Sequence, residues 1–111
     1  MAVYQLTRFE VRADANLDVE RAMHDLASFV RKELPDSAWT VYRDPDAPSR
    51  FCALLRAANR QALGRHGEAA GVRAFEGLLA PVLVGSAEVS EWELVTSSDL
   101  APRPRADRRR R

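Results

Sequence analysis

One stretch of the sequence, ANRQALGRHGEAAGVRAFEGLLAPVLVG at residues 58–85, restricts the possible folds more than any other. Its pattern is typical of a helix broken near the middle, because Gly67 and Gly71 each cost about 1 kcal/mol in a helix interior relative to alanine. The part before the break spans residues 60–69, and the part after it spans 71–84. Apolar residues recur at helical spacing in both parts: Ala62, Leu63, Val72, Phe75, Leu78, Leu79 and Val82.

A histidine, His66, lies at this break, and Pro81 and Gly85 mark the end of the second part. A side chain beside a break in a helix can face a cavity instead of a packed core. The break therefore predicts that His66 faces a space between the helix and whatever packs beneath it.

The other elements are predicted from apolar periodicity. A helix follows the turn at 13–18, where Asn16 or Asp18 is predicted to cap it, and this helix runs to about Leu34. Strand patterns occur at residues 3–12, 37–43, 50–56 and 87–96. The order β-α-β-β-α-β predicts an α+β fold of the ferredoxin-like type, with two helices on one face of a four-stranded antiparallel sheet.

The second face of this sheet predicts a partner. On the fourth strand, Trp92 and Leu94 point to one side while Val89 and Val95 point to the other, so both faces carry apolar side chains. Two helices cover one face only. A second copy of the chain is the expected cover for the other, which predicts a homodimer packed sheet against sheet.

Composition and charge limit the classes of function. The chain of 111 residues suits one domain, predicted at 1–99, followed by a disordered tail at 100–111. The last eleven residues hold six Arg and one Asp, a charge of +5, whereas the preceding hundred hold eleven basic and fifteen acidic residues, a charge of −4. A mildly acidic body argues against nucleic acid as a partner.

The single cysteine excludes an intrachain disulfide and a cysteine-cluster metal site, and its apolar neighbours predict that the Cys52 thiol is buried and inert. No apolar run reaches membrane-spanning length, and no secretory leader is recognisable. We therefore expect a cytoplasmic protein that has no membrane partner.

Three segments resemble the antibiotic biosynthesis monooxygenase family, whose members are dimeric α+β barrel proteins. The segments are TVYRDPDAPSRF at 40–51, ALGRHGEAAGVRAF at 62–75 and GLLAPVLVG at 77–85. The family pattern is a hairpin with a Tyr-Arg-Asp turn, a helix carrying histidine, an aromatic residue and an end containing proline. The matching residues here are Tyr42, Arg43, Asp44, His66, Phe75 and Pro81.

The resemblance has departures. The third strand ends in Leu55, Arg56 and Ala57, where many members have an acidic residue and an aromatic one. The haem-degrading branch has a Trp at the position of His66 and a haem-ligating histidine where this chain has Glu76, so haem ligation is not supported. The first strand lacks the Asn of oxygenase members, and Gln5 and Thr7 are the nearest substitutes.

The resemblance implies a monooxygenase that uses neither metal, flavin nor any other cofactor. A phenol, quinol or anthrone of polyketide type is deprotonated, and its carbanion reacts directly with dioxygen. The implied roles are a base, donors to the developing oxyanion, aromatic walls and an anion partner. They fall on His66 as base, Gln5, Thr7 and Asn59 as donors, Trp39, Phe75 and Trp92 as walls, and Arg56 as anion partner.

Each role has a structural alternative. His66 would cap or bridge the helix junction, and Asn59 would be the N-cap of the broken helix. The aromatic residues would be core, Gln5 and Thr7 would lie on a partly wetted sheet face, and Arg56 would pair with Glu91 or Glu93. The alternative function is a non-catalytic small-molecule-binding or assembly module of the same fold. An open cavity faced by His66 would distinguish the enzyme from a module whose cavity is filled by side chains.

Overall fold

The computed structural model of the protein describes residues 1–99; the predicted disordered tail at 100–111 lies outside the described residues. Two of the connections contain single 3-10 turns, at Ala13–Ala15 and Ala80–Val82. The predicted order β-α-β-β-α-β is confirmed, with the broken helix present as two helices. The elements are β1 (Val3–Glu10), α1 (Asn16–Glu33), β2 (Ser37–Asp44), β3 (Ala47–Ala57), α2 (Arg60–Glu68), α3 (Ala70–Leu79) and β4 (Glu88–Trp92).

The four strands form one antiparallel sheet in the order β2-β3-β1-β4, so β1 and β3 are central and β2 and β4 are edges. Alternation along β1 and β3 places Val3, Phe9, Phe51 and Leu55 on the buried face, while Arg8 and Arg56 are exposed on the other. The predicted ferredoxin-like α+β fold is confirmed.

The core lies between this face and the helices. An apolar stripe of α1 is buried against the sheet, and α3 contributes a second stripe. Phe9 and Phe51, on neighbouring central strands, stack with ring centroids 5.6 Å apart. The buried members of the two stripes are Val19, Met23, Leu26, Val30, Val72, Phe75 and Leu79.

The start of α1 differs from the prediction that Asn16 or Asp18 caps it. The chain enters α1 through a 3-10 turn, the N-cap residue is Ala15, and no side chain caps the helix. Asn16 is already helical, and its Nδ2 donates to the carbonyl oxygen of Pro48 at 3.5 Å. Asp18 pairs with Arg21 at 3.4 Å.

The strands also differ in length from the prediction. β3 begins at Ala47, which pairs with Asp44 across the hairpin turn. Within this turn the Asp44 carboxylate accepts from the Asp46 backbone N–H at 2.9 Å. β4 ends at Trp92, well before the predicted residue 96, and all five of its residues are exposed. Cys52 is half-buried on the face of the sheet away from the helices, so the prediction of a buried thiol is wrong.

The predicted break in the second helix is present, and it consists of one residue. Ala69 has extended backbone angles, φ −66° and ψ 141°, and separates α2 from α3. Its N–H donates to the carbonyl oxygen of His66 at 3.2 Å. Among residues 1–99, no helix has the length and apolar character needed to cross a membrane.

Candidate functional site

A cavity of about 370 Å³ lies between the helices and the sheet. This volume falls within the range of small-molecule sites. The cavity is lined mainly by apolar side chains, with four polar residues, Gln5, Thr7, His66 and Glu76, among them. The apolar residues that line it include Leu26, Trp39, Ala53, Leu55, Leu63, Val72, Phe75, Leu79, Leu83 and Val89.

The floor of the cavity follows from the register of the sheet. Gln5 pairs with Leu55, which pairs in turn with Trp39 on the edge strand β2. Thr7 pairs with Val89 on the opposite edge strand β4. Neighbouring strands lie about 4.8 Å apart, so the floor extends roughly 14 Å from β4 to β2. Its two polar side chains both belong to the central strand β1.

His66 lies in the last turn of α2 and is 7% exposed. Its Nδ1 is buried and finds no hydrogen-bond partner among residues 1–99. Burial lowers the pKa of the His66 imidazole below its usual value of 6.5, because the charged form loses hydration. The ring is therefore neutral at pH 7, which leaves it able to accept a proton.

Local structure fixes the position of His66. The Asn59 side chain accepts a hydrogen bond from the Ala62 N–H at 2.8 Å and so defines the start of α2. Arg60, one residue later, forms a bidentate ion pair with Glu91 of β4, with Nη1 2.9 Å from Oε1. At the other end, the extended residue Ala69 stops the helix three residues after His66.

Aromatic side chains line the cavity on its β2 side, and several of the other lining residues are exposed. The rings of Trp39 and Phe75 meet edge to face, with centroids 5.8 Å apart and planes at 71°. The opposite end lies at β4, where Val89 is 60% exposed. Glu76, Ala80 and Ala87 also line the cavity and are exposed.

The cavity brings together five of the eight predicted site residues: Gln5, Thr7, Trp39, His66 and Phe75. The other three lie elsewhere. Asn59 caps α2, as its structural alternative proposed. Arg56 and Trp92 both pair with Tyr4, on the face of the sheet away from the helices, and Trp92 is 57% exposed.

The alternative for Arg56, an ion pair with Glu91 or Glu93, is wrong among residues 1–99, and Glu91 pairs with Arg60 instead. Arg56 projects from the uncovered face, whereas Glu91 is in register with Gln5 and projects to the helical side, where α2 begins. The Trp92 indole N–H donates to the Ser90 hydroxyl at 2.8 Å instead of contacting the cavity.

Several lining residues were not among the predicted site residues, most clearly Ala53, Leu55 and Leu63. The alternation along β3 could have predicted two of them, Ala53 and Leu55. Ala53 and Leu55 share a face of β3 with the buried Phe51, and their partners across the sheet are Thr7 and Gln5. Among residues 1–99, no three His, Cys, Asp or Glu side chains are grouped closely enough to hold a metal ion.

Comparison with known proteins identifies the fold. No protein-family model matches the sequence, and no curated protein matches it. Solved structures do match: an antibiotic biosynthesis monooxygenase superimposes with a TM-score of 0.78 at 17% identity, over 85% of this chain and 99% of the other. Rv0793 from Mycobacterium tuberculosis gives 0.79 at 16% identity, over 89% and 100%.

A variant of SnoaB, a cofactor-independent oxygenase from Streptomyces nogalater, gives a TM-score of 0.75 at 18% identity, over 89% of this chain and 98% of the other. Identities this low speak for the fold and leave the reaction open. The near-complete coverage in both directions means that the whole domain is shared. The chain has the fold of the antibiotic biosynthesis monooxygenases.

Proposed function

We propose that this protein is a cofactor-independent monooxygenase that oxidises a flat aromatic phenol, quinol or anthrone with dioxygen. One observation carries the proposal: a buried, neutral imidazole, that of His66, lines an apolar cavity of about 370 Å³. A side chain in this setting can take a proton from an apolar substrate while water is excluded.

For an anthrone, the proposed reaction begins when His66 accepts a proton from the ring methylene. The carbanion reduces dioxygen and forms a carbon–oxygen bond. The peroxide anion takes back the proton held by His66. Loss of the second methylene hydrogen then breaks the oxygen–oxygen bond, so one oxygen atom stays as the new carbonyl and the other leaves as water. The substrate supplies all the electrons, so no external reductant is required.

The floor of the cavity supports the removal of the proton, because negative charge develops on a substrate oxygen at this step. The Gln5 amide and the Thr7 hydroxyl are hydrogen-bond donors on the central strand, and both line the cavity with His66. Donors held by a rigid strand stabilise negative charge that develops on a substrate oxygen. The rings of Trp39 and Phe75 offer flat walls to a fused aromatic ring system.

The proposed enzyme is a homodimer in which a second copy covers the free face of the sheet. Half-buried Leu6 and Leu54, a cross-strand pair on the two central strands, form the middle of this face. Tyr42 and Trp92 at its edges are 58% and 57% exposed. Apolar side chains at the centre and charged Arg8 and Arg56 nearby are typical of a protein interface.

The test is oxidation of anthrone by the purified protein under ¹⁸O₂, with an anaerobic reaction as the blank. We expect one labelled oxygen in the product. His66→Ala should lower turnover by about 10²- to 10⁴-fold, whereas the matched control His24→Ala, at an exposed position of α1, should keep the parent rate.

Two outcomes would contradict the proposal. Equal turnover by the His66→Ala variant and the parent would remove His66 from the reaction. Binding of anthrones and quinols without turnover of any of them would favour the non-catalytic binding module. If His66 only bridges the helix junction, its loss should cost stability, about 1–3 kcal/mol for a partner left unsatisfied, and reduce activity only in proportion.

A further inference from the structure

A second space lies at the β2 edge of the sheet and shares a lining residue with the cavity. This groove has a volume of about 370 Å³ and runs between α1 and the edge strand β2. Its base is apolar, and it is open to solvent. The residues that form it include Met23, Ala27, Val41, Arg43 and Phe51.

Trp39 lines both the cavity and the groove. The sheet order explains why one residue does so. The floor of the cavity crosses β4, β1, β3 and β2 in turn, and the last residue on the row through Gln5 and Leu55 is Trp39. Because β2 is an edge strand, no further strand within residues 1–99 continues the floor beyond it.

The Trp39 indole lies between the cavity and the groove, and α3 holds it in this position. The edge-to-face contact with Phe75 sets the Trp39 ring against the helical layer, and the ring is half-buried. The groove on the far side has its own fixed wall. Arg43 lies over the Phe51 ring at 5.3 Å and pairs with Glu20 of α1.

We propose that Trp39 is the specificity-determining residue that sets the length of the aromatic ligand, by separating the cavity from the groove. This inference rests on the proposed function, since it concerns the same ligand class. Without the indole, the two spaces form one channel along the floor that is open at both sheet edges. A longer fused ring system then extends from the cavity into the groove, over Val41 and Phe51.

The experiment compares the affinities of anthraquinone and its linear four-ring homologue, neither of which needs to react. Calorimetric titration of the full chain gives the ratio of the two dissociation constants. We expect the parent to favour the three-ring ligand by at least tenfold, and Trp39→Ala to reverse the preference. Trp39→Leu, which keeps more of the packing, should shift the ratio in the same direction.

Two control variants distinguish the role of the Trp39 indole as a wall between the cavity and the groove from a general loss of packing. Val41→Ala widens the groove and leaves the indole in place, so the parent ratio should be kept. Adding Ala27→Phe to Trp39→Leu refills the groove from α1 and should restore the three-ring preference.

An unchanged ratio in folded Trp39→Leu and Trp39→Ala variants would overturn the inference and leave the proposed oxygenase intact. The reversed ratio without any turnover by the parent would support the role of Trp39 and contradict the oxygenase. If none of these proteins binds either ligand, the inference about Trp39 is wrong, and the turnover of anthrone decides separately whether the protein is an oxygenase.

Discussion

Gly71 lies directly against the ring of Phe29, so closely that a β-carbon on Gly71 would come within 2.6 Å of Cγ of that ring. The contact joins the start of α3 to α1. This close contact explains why residue 71 at the helix break is a glycine. The other glycine of the break, Gly67, has open space where a β-carbon would be.

Gly71→Ala should therefore destabilise the protein even though alanine is the better helix former. The inserted methyl overpacks against Phe29, and overpacking costs about 1–3 kcal/mol. Gly77→Ala is the matched control on the same helix, because nothing lies within 4 Å of its β-carbon position, and it should stabilise by about 0.4–1 kcal/mol. Urea unfolding of the three proteins measures both changes, and equal effects of the two substitutions would contradict the packing argument.

Asn59 is expected to act on stability and not on the reaction. Asn59→Ala removes the acceptor for the Ala62 N–H and should lower the free energy of unfolding by about 0.5–2 kcal/mol. Asn59→Asp keeps an acceptor and should retain most of the stability. Turnover per folded molecule should stay at the parent value in both, and a specific loss of activity in the Asp variant would instead place Asn59 in contact with substrate.

His66 should make stability sensitive to mild acid. Its pKa is lowered in the folded protein, so below pH 6.5 the unfolded chain binds more protons than the folded one. The contribution of His66 to the free energy of unfolding is therefore full above about pH 6.5 and declines as the pH falls from there towards the lowered pKa. Unfolding curves at several pH values should show a flatter pH dependence for His66→Gln than for the parent; equal slopes would contradict a buried neutral imidazole.

The same ionisation should govern turnover. A general base must be neutral, so kcat/KM for anthrone should be constant at neutral pH and decrease in acid with a midpoint below 6.5. A midpoint at or above 6.5 would mean that His66 is not the titrating base. The stability data define the pH range in which the protein stays folded. They therefore distinguish a loss of turnover by protonation of His66 from a loss by unfolding.

The free face of the sheet predicts a dimer that one charge can break. Leu54→Lys places an ammonium group opposite Leu6 in the middle of this face and should convert the dimer into a monomer. Leu78→Lys is the control, because Leu78 is 42% exposed on the helical layer. Sedimentation equilibrium gives the masses, and a parent chain that is monomeric at micromolar concentration would end the dimer proposal.

Much of the fold can be predicted from the sequence because the apolar periods are long and consistent. The stripe from Val19 to Val30 and the alternation around Phe9 and Phe51 each indicate one element and one buried face. The capping of α1 could not be predicted in this way, since Asn16 and Asp18 are both good N-cap residues and the 3-10 turn before them has no comparable signal.

The site was harder to predict because a strand pattern does not say which face meets the helices. Alternation places Trp92 and Val89 on opposite sides of β4, and the pairing of Val89 with Thr7 decides which of them reaches the cavity. The strand register also places Arg56 and Glu91 on opposite faces of the sheet, so these two side chains do not meet. Gln5, Thr7 and His66 could be predicted because the central strand and the broken helix are both recognisable in the sequence.

The helix that carries His66 is also weakly anchored. α2 has nine residues and buries two of them, Ala62 and His66, and a helix this short has little stability of its own. Such segments open and close by local unfolding far more often than the whole domain unfolds. Amide hydrogen exchange in α2 should therefore be faster than in α1, and the His66 imidazole should spend a small fraction of time in contact with bulk water, where its protonation state equilibrates with the solvent.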